Sequence, residues 1–353
     1  MSPGIVPPYL LSRLAESGAE RFSGARSAAR HTLRLDVPRR SARLTLSLDA
    51  ENNLVAEFSD APDRTISDAE GGESLPGRVV RRESDAPSGD AAVDEAYEGL
   101  GATFALFSEV FARNSIDGAG LPLEATVHFG DRYDNAFWNG DRMVFGDGDG
   151  EVFRRFTLSL SVIGHELAHG VTQFTTGLEY QGQSGALNES ISDVFGVLVE
   201  QYARTESADE ATWLVGAELF TDEVDGEALR SMKAPGTAYD DDVLGSDPQP
   251  AHMDDYVETD DDNGGVHINS GIPNRAFYLA ATALGGSAWE RAGQIWYDTI
   301  TGGGVTATAD FAAFAAATRS AAVARYGESS AESDAVRAAW AGVGIPIDDG
   351  RAR

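Results

Sequence analysis

The 353-residue sequence has no cysteine. Disulfides, thiolate metal sites and cysteine nucleophiles are therefore excluded, and any transition metal must rest on histidine and carboxylate. No apolar run approaches the ~18 residues that cross a bilayer, so a membrane protein is not expected. Met1 to Leu14 shows no basic stretch leading into an apolar core, and Pro7-Pro8 interrupts its few apolar residues. No Sec-type signal peptide is read there; leaderless export and a bacterial cytoplasm both fit. Positive charge is scarce. Lysine occurs once, at Lys233, and the net charge of -30 argues against nucleic acid or anionic lipid as partner. That charge is unevenly spread: residues 1–45 carry eight arginines against only Glu16, Glu20 and Asp36, while the rest is strongly acidic. A basic N-terminal segment beside an acidic body suggests that the two dock on each other.

What is present is ordinary globular composition, 42% hydrophobic, and enough length for two domains plus an extension. Residues 1–60 read as separate. Pro7-Pro8-Tyr9-Leu10-Leu11 opens them, an Arg/Ala/Ser-rich stretch follows, and Arg43–Phe58 alternates as one or two short strands. Residues 61–90 read as loop and hairpin. Apolar spacing of three and four predicts a helix over Ala91–Asn114, and strand-like pieces lie at Thr126–Phe129 and Met143–Phe145. After Thr157 the pattern is mainly helical, with a capping box at Ser287–Glu290 and helices at Phe311–Tyr326 and Ala335–Ala341.

The chemistry concentrates in His165-Glu166-Leu-Ala-His169. Residues i and i+4 of a helix lie one above the other, so both imidazoles can reach one ion. Glu166, turned about 100° from His165, flanks that ion and suits a base acting on metal-bound water. Twenty residues beyond His169 comes Asn188-Glu189-Ser-Ile-Ser-Asp193 on a second helical pattern. Glu189 and Asp193 are again i and i+4. One can ligate the ion while the other accepts the second ring N–H of a ligand histidine. A His₂Glu set leaves a fourth position for water, as in catalytic rather than structural zinc.

Together these segments resemble the signature of the thermolysin family of neutral metallopeptidases. Tyr133-Asp-Asn135-Ala136-Phe-Trp138, Gly177-Leu-Glu-Tyr180-Gln, Leu229-Arg230-Ser-Met and Asp262-Asn-Gly-Gly-Val-His267 resemble further family segments, in order, from about Leu75 to the C-terminus. The resemblance implies an α+β fold of two domains: a strand-rich N-terminal one over 61–178 and an all-helical C-terminal one over 179–353, with zinc in the cleft between them. It assigns His165, His169 and Glu189 to the metal, with Asn188 and Asp193 supporting those ligands. Glu166 would act as base, with Tyr180 and His267 as donors to the oxyanion and Asp262 orienting His267. Arg230, Asn135 and Ala136 would hold the peptide backbone. Phe153, Phe156, Val162 and Leu229 would line an apolar pocket, giving cleavage on the N-terminal side of Leu, Phe, Ile or Val. The family's double calcium site is expected to be absent, because Thr212–Ala217 is apolar and Ser161 stands where acids should be; calcium elsewhere, at the Asp-rich stretch 240–262, stays open.

Pro7-Pro8-Tyr9-Leu10-Leu11 narrows the resemblance to the protealysin-like branch, which has a short propeptide. Residues 1–60 are then expected to be a cleavable inhibitor and folding aid of a monomeric zymogen. Two competing readings are a non-catalytic binding protein on a peptidase fold and a zinc hydrolase of small molecules. The first would have lost Glu166, a ligand or His267; the second has no use for Asn135 and Arg230.

Overall fold

A computed structural model describes residues 4–40 and 61–347, and the strands expected at Arg43–Phe58 lie outside the described residues. The chain forms two units. The first comprises Met1–Val171 with Glu218–Val224 and Asp242–Leu244, and the second comprises the remainder.

In the first unit the Pro-Pro-Tyr-Leu-Leu segment becomes a helix, α1 (Pro8–Glu16), with Pro8 at a position where a missing N–H costs nothing. Leu10, Leu11 and Leu14 are buried, each contributing roughly 1.5–3 kcal/mol of apolar transfer. A second helix, α2 (Ser23–Arg40), packs on it. Arg30 donates to the Ala15 carbonyl and Arg26 to the Ser17 carbonyl, which satisfies acceptors left open where α1 ends.

The sheet holds β1 (Arg64–Asp68), β2 (Arg78–Arg82), β3 (Leu123–Val127), β4 (Ala136–Trp138) and β5 (Met143–Phe145) in the order β2-β1-β3-β5-β4. β1 and β2 make the antiparallel hairpin expected within 61–90. β1–β3 and β3–β5 are parallel, and β4 lies antiparallel to β5 at the edge. α3 (Ala91–Ala105) begins under the Asp90 side chain, which accepts the Ala92 and Val93 N–H groups. It is shorter than the expected Ala91–Asn114 because the backbone widens into a π turn at Leu106–Val110 and turns left-handed at Ala112. Phe129, Tyr133, Phe137 and Val144 form a core beside β4, the three rings meeting edge to face at 5.2–6.0 Å. α4 (Leu160–Gln173) follows and carries His165 to His169.

The second unit is built on α5 (Gly182–Arg204), which ends where Thr205 turns left-handed. Two short hairpins follow, β6 (Leu214–Val215) with β7 (Arg230–Ser231), and β8 (Asp240–Asp241) with β9 (Gly245–Ser246). Then come α6 (Asp262–Asn269), α7 (Gly271–Leu284), α8 (Ala292–Thr301), α9 (Phe311–Tyr326) and α10 (Ala331–Gly342). Trp296 and Trp340 stack in parallel in its core at 6.3 Å. The expected capping box is not made. Ser287–Glu290 closes a separate turn, with the Glu290 N–H on the Ser287 carbonyl, and α8 starts only at Ala292. No helix of the described residues is long and apolar enough to cross a membrane.

Candidate active site

α4 brings the Nε2 atoms of His165 and His169 to 3.0 Å from each other, with both rings buried. Two imidazoles bound to one tetrahedral zinc at about 2.0–2.1 Å would have nitrogens about 3.3 Å apart, so the pair already converges as ligands must. His165, His169 and Glu189 each offer one ligand atom, all within 4.8 Å of one another. Two nitrogens and one carboxylate oxygen, all buried, are a donor set that fits zinc and leaves a coordination position over.

Glu166 is fully buried one residue after the first histidine. Its Oε2 accepts the Trp138 N–H at 2.9 Å, so the backbone of β4 sets where this carboxylate sits. The same strand begins with Ala136, whose neighbour Asn135 is also buried.

In the second unit the Tyr180 hydroxyl donates to Glu189 Oε1 and lies 3.4 Å from His267 Nε2. Asp262 holds that histidine from behind. Its Oδ1 is 2.7 Å from His267 Nδ1, and its Oδ2 accepts the His267 N–H at 2.9 Å. This return is possible because Asp262, Asn263, Gly264 and Gly265 all have left-handed φ, a run that Asp, Asn and Gly tolerate better than other residues. Burial disfavours the charged ring, yet Asp262 and Glu189 together keep the His267 pKa above its ordinary value.

Asp193 and Arg230 are both buried and paired bidentately, and Asp193 Oδ2 also accepts an N–H from Asn274 of α7 at 2.8 Å. Asn274 is a contributor that sequence reasoning missed, since nothing in Ser270-Gly-Ile-Pro-Asn274 points across 81 residues to Asp193. Asn188, the other expected support, donates to the Leu178 carbonyl at 3.2 Å. Phe153, Phe156, Val162 and Leu229 are all buried. Phe153 packs on Phe156 at 5.8 Å and on Phe220 at 5.6 Å.

One occupant of the β4 edge was not anticipated in its detail. The Ile5 N–H donates to the Ala136 carbonyl at 3.0 Å, and the Val6 N–H donates to Asn135 Oδ1 at 2.9 Å. Gly4 passes so close that an added Cβ would stand 2.3 Å from the Ala136 oxygen. Docking of the N-terminal segment was expected from charge, and among the described residues two of its arginines meet the body. Arg21 pairs with Asp242 at the exposed surface and Arg13 donates to the Leu244 carbonyl, while Arg26 and Arg30 bond within the segment. A body carboxylate, Glu151, instead accepts the Gly24 and Ala25 N–H groups at the start of α2.

Buried imidazoles converging on a carboxylate, with another carboxylate beside them, define a metal-dependent hydrolase centre of the zinc type. Comparison with known proteins narrows the class. The family described as "Thermolysin metallopeptidase, catalytic domain" matches residues 31–173, and "Thermolysin metallopeptidase, alpha-helical domain" matches residues 176–345. An extracellular metalloprotease of Pectobacterium carotovorum subsp. carotovorum is 50% identical over 347 residues, 97% of this chain and 96% of that protein. A thermolysin of Alicyclobacillus acidocaldarius subsp. acidocaldarius is 39% identical over 263 residues, 72% of this chain and 46% of its own length. The structure of the precursor of protealysin, a metalloproteinase from Serratia proteamaculans, superposes with a TM-score of 0.88 at 51% identity, covering 98% of this chain and all of that one. The chain belongs to the thermolysin metallopeptidase family, and its three-ligand cluster is the zinc site of a metalloendopeptidase.

Proposed function

We propose that this chain is the latent precursor of an endopeptidase that cuts on the N-terminal side of large apolar residues. The observation that carries the reading is the seating of Ile5 and Val6 on Ala136 and Asn135, the positions expected to hold a substrate backbone. An extended segment hydrogen-bonded along an edge strand is how a peptide substrate would also bind. Residues 1–60 then act as a cleavable inhibitor, with 61–178 and 179–353 as the two domains of the mature enzyme.

Zinc on His165, His169 and Glu189 would supply Lewis acidity toward the scissile carbonyl and acidify a water. Glu166, anchored by the Trp138 N–H, takes the proton from the attacking water and passes it to the leaving amine. Tyr180 and His267, the latter oriented by Asp262, donate to the developing oxyanion. The Asn135 side chain and Ala136 carbonyl bind the substrate main chain, and Arg230, held by Asp193, binds a substrate carbonyl. Phe153, Phe156, Val162 and Leu229 set the preference for an apolar residue after the cut. The enzyme acts as a monomer outside the cell, in keeping with the relative named an extracellular metalloprotease, and holds no double calcium site.

The test is hydrolysis of an internally quenched peptide containing Gly-Leu by the processed protein. Cleavage before Leu, abolished by a zinc chelator and by Glu166→Gln while zinc content is kept in the variant, is the expected result. A protein that binds one zinc yet cuts no peptide overturns the reading.

A further inference from the structure

Thr32 and Asp36 stand four residues apart on α2, so they share one helix face. That face meets three consecutive residues of the body. Thr32 Oγ1 accepts the Asp134 N–H at 3.0 Å. Asp36 Oδ1 accepts the Tyr133 hydroxyl at 2.5 Å, and its Oδ2 accepts an N–H of the Asn135 amide at 3.1 Å. Asp36 is only 3% exposed. A carboxylate so desolvated is tolerable only where strong donors meet it, and charge-assisted bonds of this kind are about twice as strong as neutral ones. Both halves of the Asn135 amide are thereby engaged: its oxygen by the Val6 N–H and its nitrogen by Asp36.

We propose that the Tyr133 hydroxyl and the Asn135 amide nitrogen form a carboxylate receptor beside the substrate strand, and that Asp36 is the latch seated in it. The inference rests on the reading of residues 1–60 as an inhibitor and says which residue keeps them in place. Strand pairing through Ile5 and Val6 uses the same main-chain bonds that any extended peptide offers, so it adds no contact at β4 that a substrate lacks. A carboxylate delivered from a preformed helix does, because its charge and fixed position have no counterpart in an extended main chain. Leu35, the residue before it, packs on the Phe129–Tyr133–Phe137 core and holds that turn of α2 down.

The test uses the zinc-loaded full-length chain. Its progress curve on the quenched peptide is followed together with its shortening on a gel. Wild type is expected to show a lag that ends as residues 1–60 are lost. Asp36→Ala and Asp36→Asn should shorten that lag at least tenfold, and Thr32→Val by a few-fold. Residue 36 is absent from the processed enzyme, so kcat/KM after processing should match wild type in both Asp36 variants. Circular dichroism of Asp36→Ala in the Glu166→Gln background establishes that the precursor still folds. Should that precursor fail to fold, Tyr133→Phe removes the other side of the contact, and a several-fold shorter lag is expected. A lag within twofold of wild type in the folded Asp36 variants, or in Tyr133→Phe if they do not fold, overturns the latch alone. A wild-type chain fully active from the first measurement with residues 1–60 still attached overturns both the latch and the inhibitor reading.

Discussion

The Arg230 guanidinium meets the Asp193 carboxylate edge on, with Nε at 2.9 Å from Oδ2 and Nη2 at 2.8 Å from Oδ1, and neither side chain reaches solvent. Removing one partner of so buried a pair strands the other charge, which costs about 3–5 kcal/mol. Arg230→Met should therefore lose about that much stability in urea unfolding. The double change Arg230→Met with Asp193→Leu should recover a substantial part of it. A single variant within 1 kcal/mol of wild type would be evidence that water reaches this pair.

His267 and Tyr180 approach each other at 3.4 Å above Glu189, and both are proposed to meet the oxyanion. His267→Gln and Tyr180→Phe should each lower kcat by about 10²–10³ with little change in KM, since such donors act mainly in the transition state. Steady-state kinetics on one peptide decides this. If either change raises KM and spares kcat, that side chain binds ground-state substrate instead.

Asp134 is wholly buried against Asp149, which is itself buried and whose Oδ1 already accepts the Glu151, Val152 and Phe153 N–H groups. Burial first, then the charge of Asp149, pushes the Asp134 carboxyl well above the usual range. A carboxyl raised in the folded state favours folding while it is protonated, and that contribution falls as pH climbs above the unfolded value of about 3.8. Asp134→Asn keeps the shape without the titration. Its stability relative to wild type should grow with pH and lead by about 1 kcal/mol or more at pH 8. Parallel stability–pH curves for the two proteins would contradict this.

Glu83 shows the opposite sign. Hydrogen bonds from Arg64 first, opposed by burial and assisted by the Tyr97 hydroxyl, hold its carboxyl down to about 2. Arg64 also stacks on the Tyr97 ring at 3.7 Å, with Arg81 on the same ring at 3.6 Å. The depressed carboxylate stabilises the fold fully above its unfolded pKa near 4.5, and the contribution is lost as pH falls through about 2. Glu83→Gln should cost about 1–2 kcal/mol at pH 6, allowing for its partial exposure, and close to nothing at pH 2. The urea midpoint measured across that window is the readout.

Residue spacing alone determined what lies within one helical turn. His165, Glu166 and His169 are placed relative to one another by the helix period, so their convergence was legible without a structure. Glu189, twenty residues on, needed a second helical pattern and the family resemblance, and the 4.8 Å cluster agrees. The charge reversal at residues 1–45 announced a docked segment, but it gave no role to Asp36, one of only three acids there. What spacing could not supply was which atoms meet across the chain. Asp193 finds Arg230 and Asn274, 37 and 81 residues away, and Asp36 finds Asn135 at a separation of 99. Local periodicity is a property of consecutive backbone dihedrals, whereas these contacts form only because packing removes water from each polar group and leaves it the partners that the fold brings within reach. The N-terminal segment shows the difference most plainly. Its basic charge suggested why it should dock, yet the buried contact at Tyr133 and Asn135 is made by a carboxylate, because a desolvated site selects hydrogen-bond complementarity over net charge.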